Sequence, residues 1–98
     1  LNQAAKDAYF DKQFERAMEL FERCLKESKN PKETDTIKYN LASACREAGK
    51  IEKSLTFFYE AILIADEAFR KESSQDGSKL CKYMNRYFDV LEAHPSLW

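Results

Sequence analysis

The chain has 98 residues, of which 44% are hydrophobic and 34% charged, a composition suited to one water-exposed domain with a core of its own. Only two glycines and two prolines are present, too few turn residues for a β sandwich or barrel. A net charge of −1, from 16 basic and 17 acidic residues, gives no overall field that would draw nucleic acid or an acidic membrane surface, and no run of 18 apolar residues offers a membrane span.

Residues 1–12, LNQAAKDAYFDK, predict a first helix rich in alanine, the best helix former. Residues 13 to about 28 predict a second. Phe14, Ala17, Met18, Phe21, Cys24 and Leu25 fall on one face, and Glu15, Glu19, Glu22, Arg23 and Lys26 on the other. Glu19–Arg23 and Glu22–Lys26 are spaced as i, i+4 ion pairs. Asn30-Pro31 should end this helix, because proline cannot continue it and pushes its predecessor out of the α region. A third helix is expected from Thr34 or Asp35, either of which can cap it, to about Ala48. Gly49 accepts the left-handed conformation that follows a last helical turn.

The fourth helix, from Ile51 to about Glu72, has a main apolar face of Ile51, Ser54, Leu55, Phe58, Ala61, Ile62, Ala65 and Phe69. Phe57, Ile64 and Ala68 form a second apolar flank, so it should be covered on two sides. SSQDGS, residues 73–78, reads as a polar loop. The last helix should span about Ser78–Ala93, with Leu80, Met84, Tyr87, Phe88 and Leu91 facing the core. His94-Pro95 stops it, and Ser96-Leu97-Trp98 forms a tail.

Residues 36–66 carry a resemblance. Leu41-Ala42-x2-Cys45, Gly49 and Ser54-x3-Phe58 followed by Ala61 look like the tetratricopeptide repeat, a helix–turn–helix unit of about 34 residues. Lys38 stands where that family has tryptophan, and Asp66 where it has proline. The pattern recurs 37 residues earlier as Ala17-x3-Phe21 followed by Cys24, with Lys12 in the place of Gly49. The resemblance implies an all-α fold of about five helices: antiparallel hairpins stacked as a short right-handed superhelix. Its single domain, 1–98, would comprise repeat one at about 1–30, repeat two at about 34–72 and a capping helix at about 78–93. Because the chain starts at Leu1 rather than methionine, it is expected to be a piece of a longer protein.

No catalytic constellation is visible, and the expectation is a protein that is not an enzyme and takes no cofactor or metal. His94 is the sole histidine and sits at a helix end. Cys24, Cys45 and Cys81 are an odd number at wide spacing, which fits neither a disulfide framework nor a zinc site. Cys24 and Cys45 fall on apolar helix faces as small hydrophobes. Free thiols suggest a reducing compartment, cytoplasm or nucleus.

Binding is the class that remains. Stacked helical hairpins curve, and the resemblance places ligand contacts on the concave side, along the first helix of each pair. That groove would be lined by Asn2, Lys6, Tyr9, Phe10 and Gln13 from the first helix. Thr36, Tyr39, Asn40, Ser43, Arg46 and Glu47 would follow from the third, and Lys82 and Arg86 from the last. Amides, tyrosines and cations suit a protein or peptide partner with some acidic character, in the manner of an adaptor or co-chaperone. Co-chaperones of this family clamp the C-terminal carboxylates of heat-shock chaperones that end in Glu-Glu-Val-Asp. Asn40, Lys82 and Arg86 match their pattern, whereas Asn2 stands where lysine is required and Lys6 where asparagine is. Two further readings are self-association through an exposed helix face and the tail, and single-stranded nucleic acid stacked on Tyr83 and Tyr87 beside Lys79, Lys82 and Arg86.

Overall fold

A computed structural model describes residues 2–27, 31–71 and 78–95. It contains five helices, α1 (Asn2–Phe10), α2 (Phe14–Glu27), α3 (Pro31–Glu47), α4 (Ile51–Lys71) and α5 (Ser78–Ala93), and no strand among the described residues. Each helix packs on the next in chain order. The molecule is a slab 39 × 35 × 19 Å, and its thin dimension is about two helix diameters.

The repeat seen in the sequence is written into the backbone of the turns. Gly49 has φ +84°. Its N–H bonds the Arg46 carbonyl at 3.1 Å, and the Lys50 N–H bonds that of Cys45 at 2.8 Å, the paired bonds of a Schellman turn. At the equivalent positions 37 residues earlier, Lys12 has φ +64°. There Lys12 N–H bonds Tyr9 at 3.0 Å and Gln13 N–H bonds Ala8 at 2.9 Å. A lysine thus does in the first turn what glycine does in the second, at a steric cost of its own.

Side chains repeat as well. Ala5 and Ala42, Ala17 and Ser54, and Phe21 and Phe58 are pairs at that same offset, and all six are buried. Ala5, Ala8, Ala17, Met18, Phe21, Leu41, Ala44 and Cys45 form one core, among α1, α2 and α3. Ala42, Phe58 and Val90 form a second, among α3, α4 and α5, and Ala61, Ala65 and Tyr83 a third between α4 and α5. Small residues let the helices approach: Ser54 Oγ donates to the Ala42 carbonyl at 2.9 Å inside the α3–α4 contact. Phe57 packs against both of the first two clusters, so α4 is covered on two sides.

Five details differ from the sequence reading. The third helix begins at Pro31 rather than Thr34 or Asp35, because proline at the first helical position lacks only an N–H that has no helical partner. Asp35 is buried and accepts a hydrogen bond from the Tyr83 hydroxyl at 3.3 Å. The buried face of α5 is turned toward Tyr83 and Val90, while Met84 and Phe88 are exposed. Tyr83 wins the inward place because Tyr39 stacks on its ring at 4.7 Å and Asp35 satisfies its hydroxyl, the polar tip that otherwise keeps tyrosine at the surface. Phe69 is also exposed. Finally, Glu22 bonds Lys53 of α4 at 3.0 Å, a link between helices that i, i+4 spacing along α2 does not foresee. Residues 28–30, 72–77 and 96–98, which include most of the SSQDGS loop and the tail, lie outside the described residues.

Candidate functional site

One side of the slab holds a cleft of about 480 Å³. Helical spacing brings its walls together. Lys6, Tyr9 and Phe10 lie three or four residues or one residue apart along α1, and Tyr39, Asn40, Ser43 and Arg46 do the same along α3; Arg86 enters from α5, and Phe21 of α2 closes the floor. Of the residues expected in a groove, Lys6, Tyr9, Phe10, Tyr39, Asn40, Ser43, Arg46 and Arg86 line it. Gln13, Thr36, Glu47 and Lys82 do not, and the side chain of Asn2 lies outside the described residues. Phe21 was legible only as a core residue, because its apolar repeat position gives no sign that it also borders the cleft.

The charge of the cleft differs from that of the chain. Lys6, Arg46 and Arg86 are three cations on its walls, and among the described residues that line it there is no carboxylate. Glu47 stands nearby and its Oε1 accepts from Arg46 Nη2 at 3.3 Å. That pair is partly exposed, so it contributes little to stability and leaves Arg46 other donors for a ligand. The Tyr9 hydroxyl samples this field. Burial raises its pKa, Glu47 adds to the rise, and Arg46 and Arg86 oppose it.

Aromatic contacts hold the walls. Tyr9 meets Phe10 and Phe14 edge to face, with centroids 5.9 and 5.5 Å apart. Tyr39 lies between helices, edge-on to Phe58 at 5.6 Å and stacked on Tyr83. Lys82 Nζ sits 5.0 Å from the centre of the Tyr39 ring, a cation–π position. Lys82 is therefore placed on the aromatic wall, while Arg86, one turn on, reaches the cleft. Ser43 Oγ donates to the Tyr39 carbonyl on its own helix at 3.1 Å, which keeps its side chain against α3. Tyr83 is 2% exposed and offers no face on which a nucleobase could stack.

Comparison of the chain with protein-family models, with curated proteins and with solved structures finds no match. Among the described residues there is no cluster of three or more His, Cys, Asp or Glu that could hold a metal ion, and no helix is long and apolar enough to cross a membrane.

Proposed function

We propose that the chain is a tetratricopeptide-like interaction module that holds an acidic peptide segment of a partner protein in the cleft between α1, α3 and α5. One observation carries this reading: a chain with a net charge of −1 gathers Lys6, Arg46 and Arg86 on the walls of one cleft, and none of the described residues that line it is a carboxylate. Charge-assisted bonds from the two arginines suit carboxylates, because the guanidinium fork matches their geometry. The Asn40 amide has both donors and acceptor for an extended peptide backbone. Phe10, 77% exposed at the cleft wall, offers an apolar side chain of the peptide a surface to cover.

The superhelical, tetratricopeptide-like arrangement is part of the same proposal. It is supported by the two turns with matching hydrogen bonds and by the paired burial of Ala5 with Ala42 and Phe21 with Phe58. An adaptor or co-chaperone role in the cytoplasm or nucleus accords with the free cysteines Cys24, Cys45 and Cys81.

The test is a fluorescence-polarisation titration with a glutamate-rich peptide that ends in a free carboxylate, repeated with glutamine in place of each glutamate. The glutamate peptide should bind saturably and weaken as salt is raised. Asn40→Ala and Arg46→Ala should each weaken it by about tenfold, the loss expected for a hydrogen bond to a charged or buried group, with little change in melting temperature. Equal binding of the glutamine peptide, or full affinity in both variants, would remove the cleft from consideration.

A further inference from the structure

The cleft between α1, α3 and α5 is built for an anion of a particular kind. Among the described residues, neither Lys6 nor Arg86 is held in an ion pair, whereas Arg46 is bonded to Glu47. That pair cancels itself, so Lys6 and Arg86 remain as two uncancelled positive charges on the walls.

The donors stand on three different helices. Lys6 and Tyr9 are three residues apart on α1 and share a side of it, Arg46 comes from α3 and Arg86 from α5. The two arginines meet at the Tyr9 hydroxyl. Burial and then Glu47 raise its pKa, and the charges of Arg46 and Arg86 both act on it in opposition. Charge acts less with distance, so both guanidinium groups stand around one O–H. Glu47 takes a single bond from Arg46, and a guanidinium has five N–H groups.

A carboxylate brings one negative charge and two oxygens to this place. It leaves one of the two uncancelled cations, and one of the three donor groups, unanswered. A phosphorylated side chain brings about −1.5 to −2 at neutral pH and three acceptor oxygens on one atom. Its charge matches Lys6 with Arg86, and its oxygens match Tyr9, Arg46 and Arg86. Clusters of arginine are a recurrent means of recognising phosphorylated peptides. Phe10, 77% exposed, and Asn40 share the same walls, so the cleft also offers places for an apolar side chain and a backbone, which a peptide has and a free anion lacks. A chain with a net charge of −1 has no overall field to draw it to an anionic membrane.

We infer that the cleft takes a phosphorylated side chain of the partner peptide, its oxygens accepting from Tyr9, Arg46 and Arg86, with the Lys6 charge beside it and a neighbouring apolar side chain on Phe10. The inference rests on the reading of the cleft as a peptide site and names its anion. Recognition of the partner then follows its modification by a kinase.

The probes are peptides of one sequence that carry phosphoserine, phosphotyrosine, a single glutamate or two adjacent glutamates at the centre, titrated into the 98-residue chain by fluorescence polarisation beside inorganic phosphate. One of the phosphopeptides should bind at least about tenfold tighter than either glutamate peptide and than inorganic phosphate, and the two identify which side chain carries the group. Arg86→Gln should reduce that advantage to less than about threefold, with little change in melting temperature because Arg86 is exposed. Tyr9→Phe keeps the ring against Phe10 and Phe14 and should weaken the phosphopeptide by about fivefold while leaving the glutamate peptides unchanged. Phe10→Ala should weaken the phosphopeptide and not inorganic phosphate. If the paired glutamates bind as tightly as both phosphopeptides, the inference fails and the acidic-peptide reading stands; if no peptide binds, both fail. Inorganic phosphate that binds as tightly as the phosphopeptides, or phosphatidylcholine vesicles with phosphatidylinositol bisphosphate that displace them at lower concentration, would also overturn the inference.

Discussion

Phe58→Ala probes the packing on which the cleft depends. Phe58 is fully buried, clustered with Ala42 of α3 and Val90 of α5, and its edge meets the Tyr39 ring at 5.6 Å. Removal of a buried phenyl ring takes away its transfer free energy and leaves a cavity, together about 3–5 kcal/mol. Unfolding entropy near the midpoint is about 2.1 cal/mol/K per residue, so a chain of 98 residues should lose about 15–24 °C in melting temperature. Thermal circular dichroism at 222 nm reads this directly. Phe88→Ala is the internal control: Phe88 is half exposed, and its truncation should lower the midpoint by no more than about 5 °C, roughly 1 kcal/mol. A Phe58→Ala variant that melts within about 5 °C of the parent would mean that α3, α4 and α5 do not meet at this residue, and the stacking would have to be abandoned.

Two further predictions concern the turns and the thiols. Gly49 holds φ +84° with open space where a Cβ would stand, so Gly49→Ala should cost about 1 kcal/mol through backbone strain alone; Lys12→Gly relieves the same strain at φ +64° and should stabilise by up to about 1 kcal/mol. Urea midpoints of the two variants should move in opposite directions, and movement in the same direction would refute the equivalence of the turns. Burial raises the Cys45 thiol from 9.0 to about 11, above its unfolded value, so its contribution to stability is whole below about pH 9 and is lost as pH climbs through about 11. The urea midpoint should therefore fall between pH 8 and pH 11 by less in Cys45→Ala than in the parent chain. At pH 8 a thiol reagent should label Cys81, the exposed cysteine, quickly and the buried Cys24 and Cys45 only on unfolding; rapid labelling of all three in the native protein would contradict the core.

Legibility in the sequence followed the strength of the pattern. The limits of α2 and α4 came within about a residue because their apolar stripes run unbroken from Phe14 and Ile51. The start of α3 did not, since Pro31 reads equally as the end of one helix and the first residue of the next. The face of α5 was misread by part of a turn. Hydrophobicity favours Met84 and Phe88 for the interior, but the neighbours of α5 offer Tyr83 a ring to stack on and a carboxylate to bond. Such partners come from residues 39 and 35, more than forty positions away, and no local scale includes them. Most of the cleft lining was legible, because positions four apart on α1 and α3 must share a side. The turning aside of Lys82 onto Tyr39 was not.

The number and kind of elements and the 37-residue recurrence follow from local pattern, because helix period, small residues and breakers act over a few neighbouring positions. Packing of the helices on one another settles which tyrosine of α5 goes inward, that Glu22 reaches Lys53, and that Lys6, Arg46 and Arg86 meet in one cleft. These are outcomes of contacts between helices. Their energies depend on which side chain arrives from far along the chain, and that is fixed only when the helices are packed.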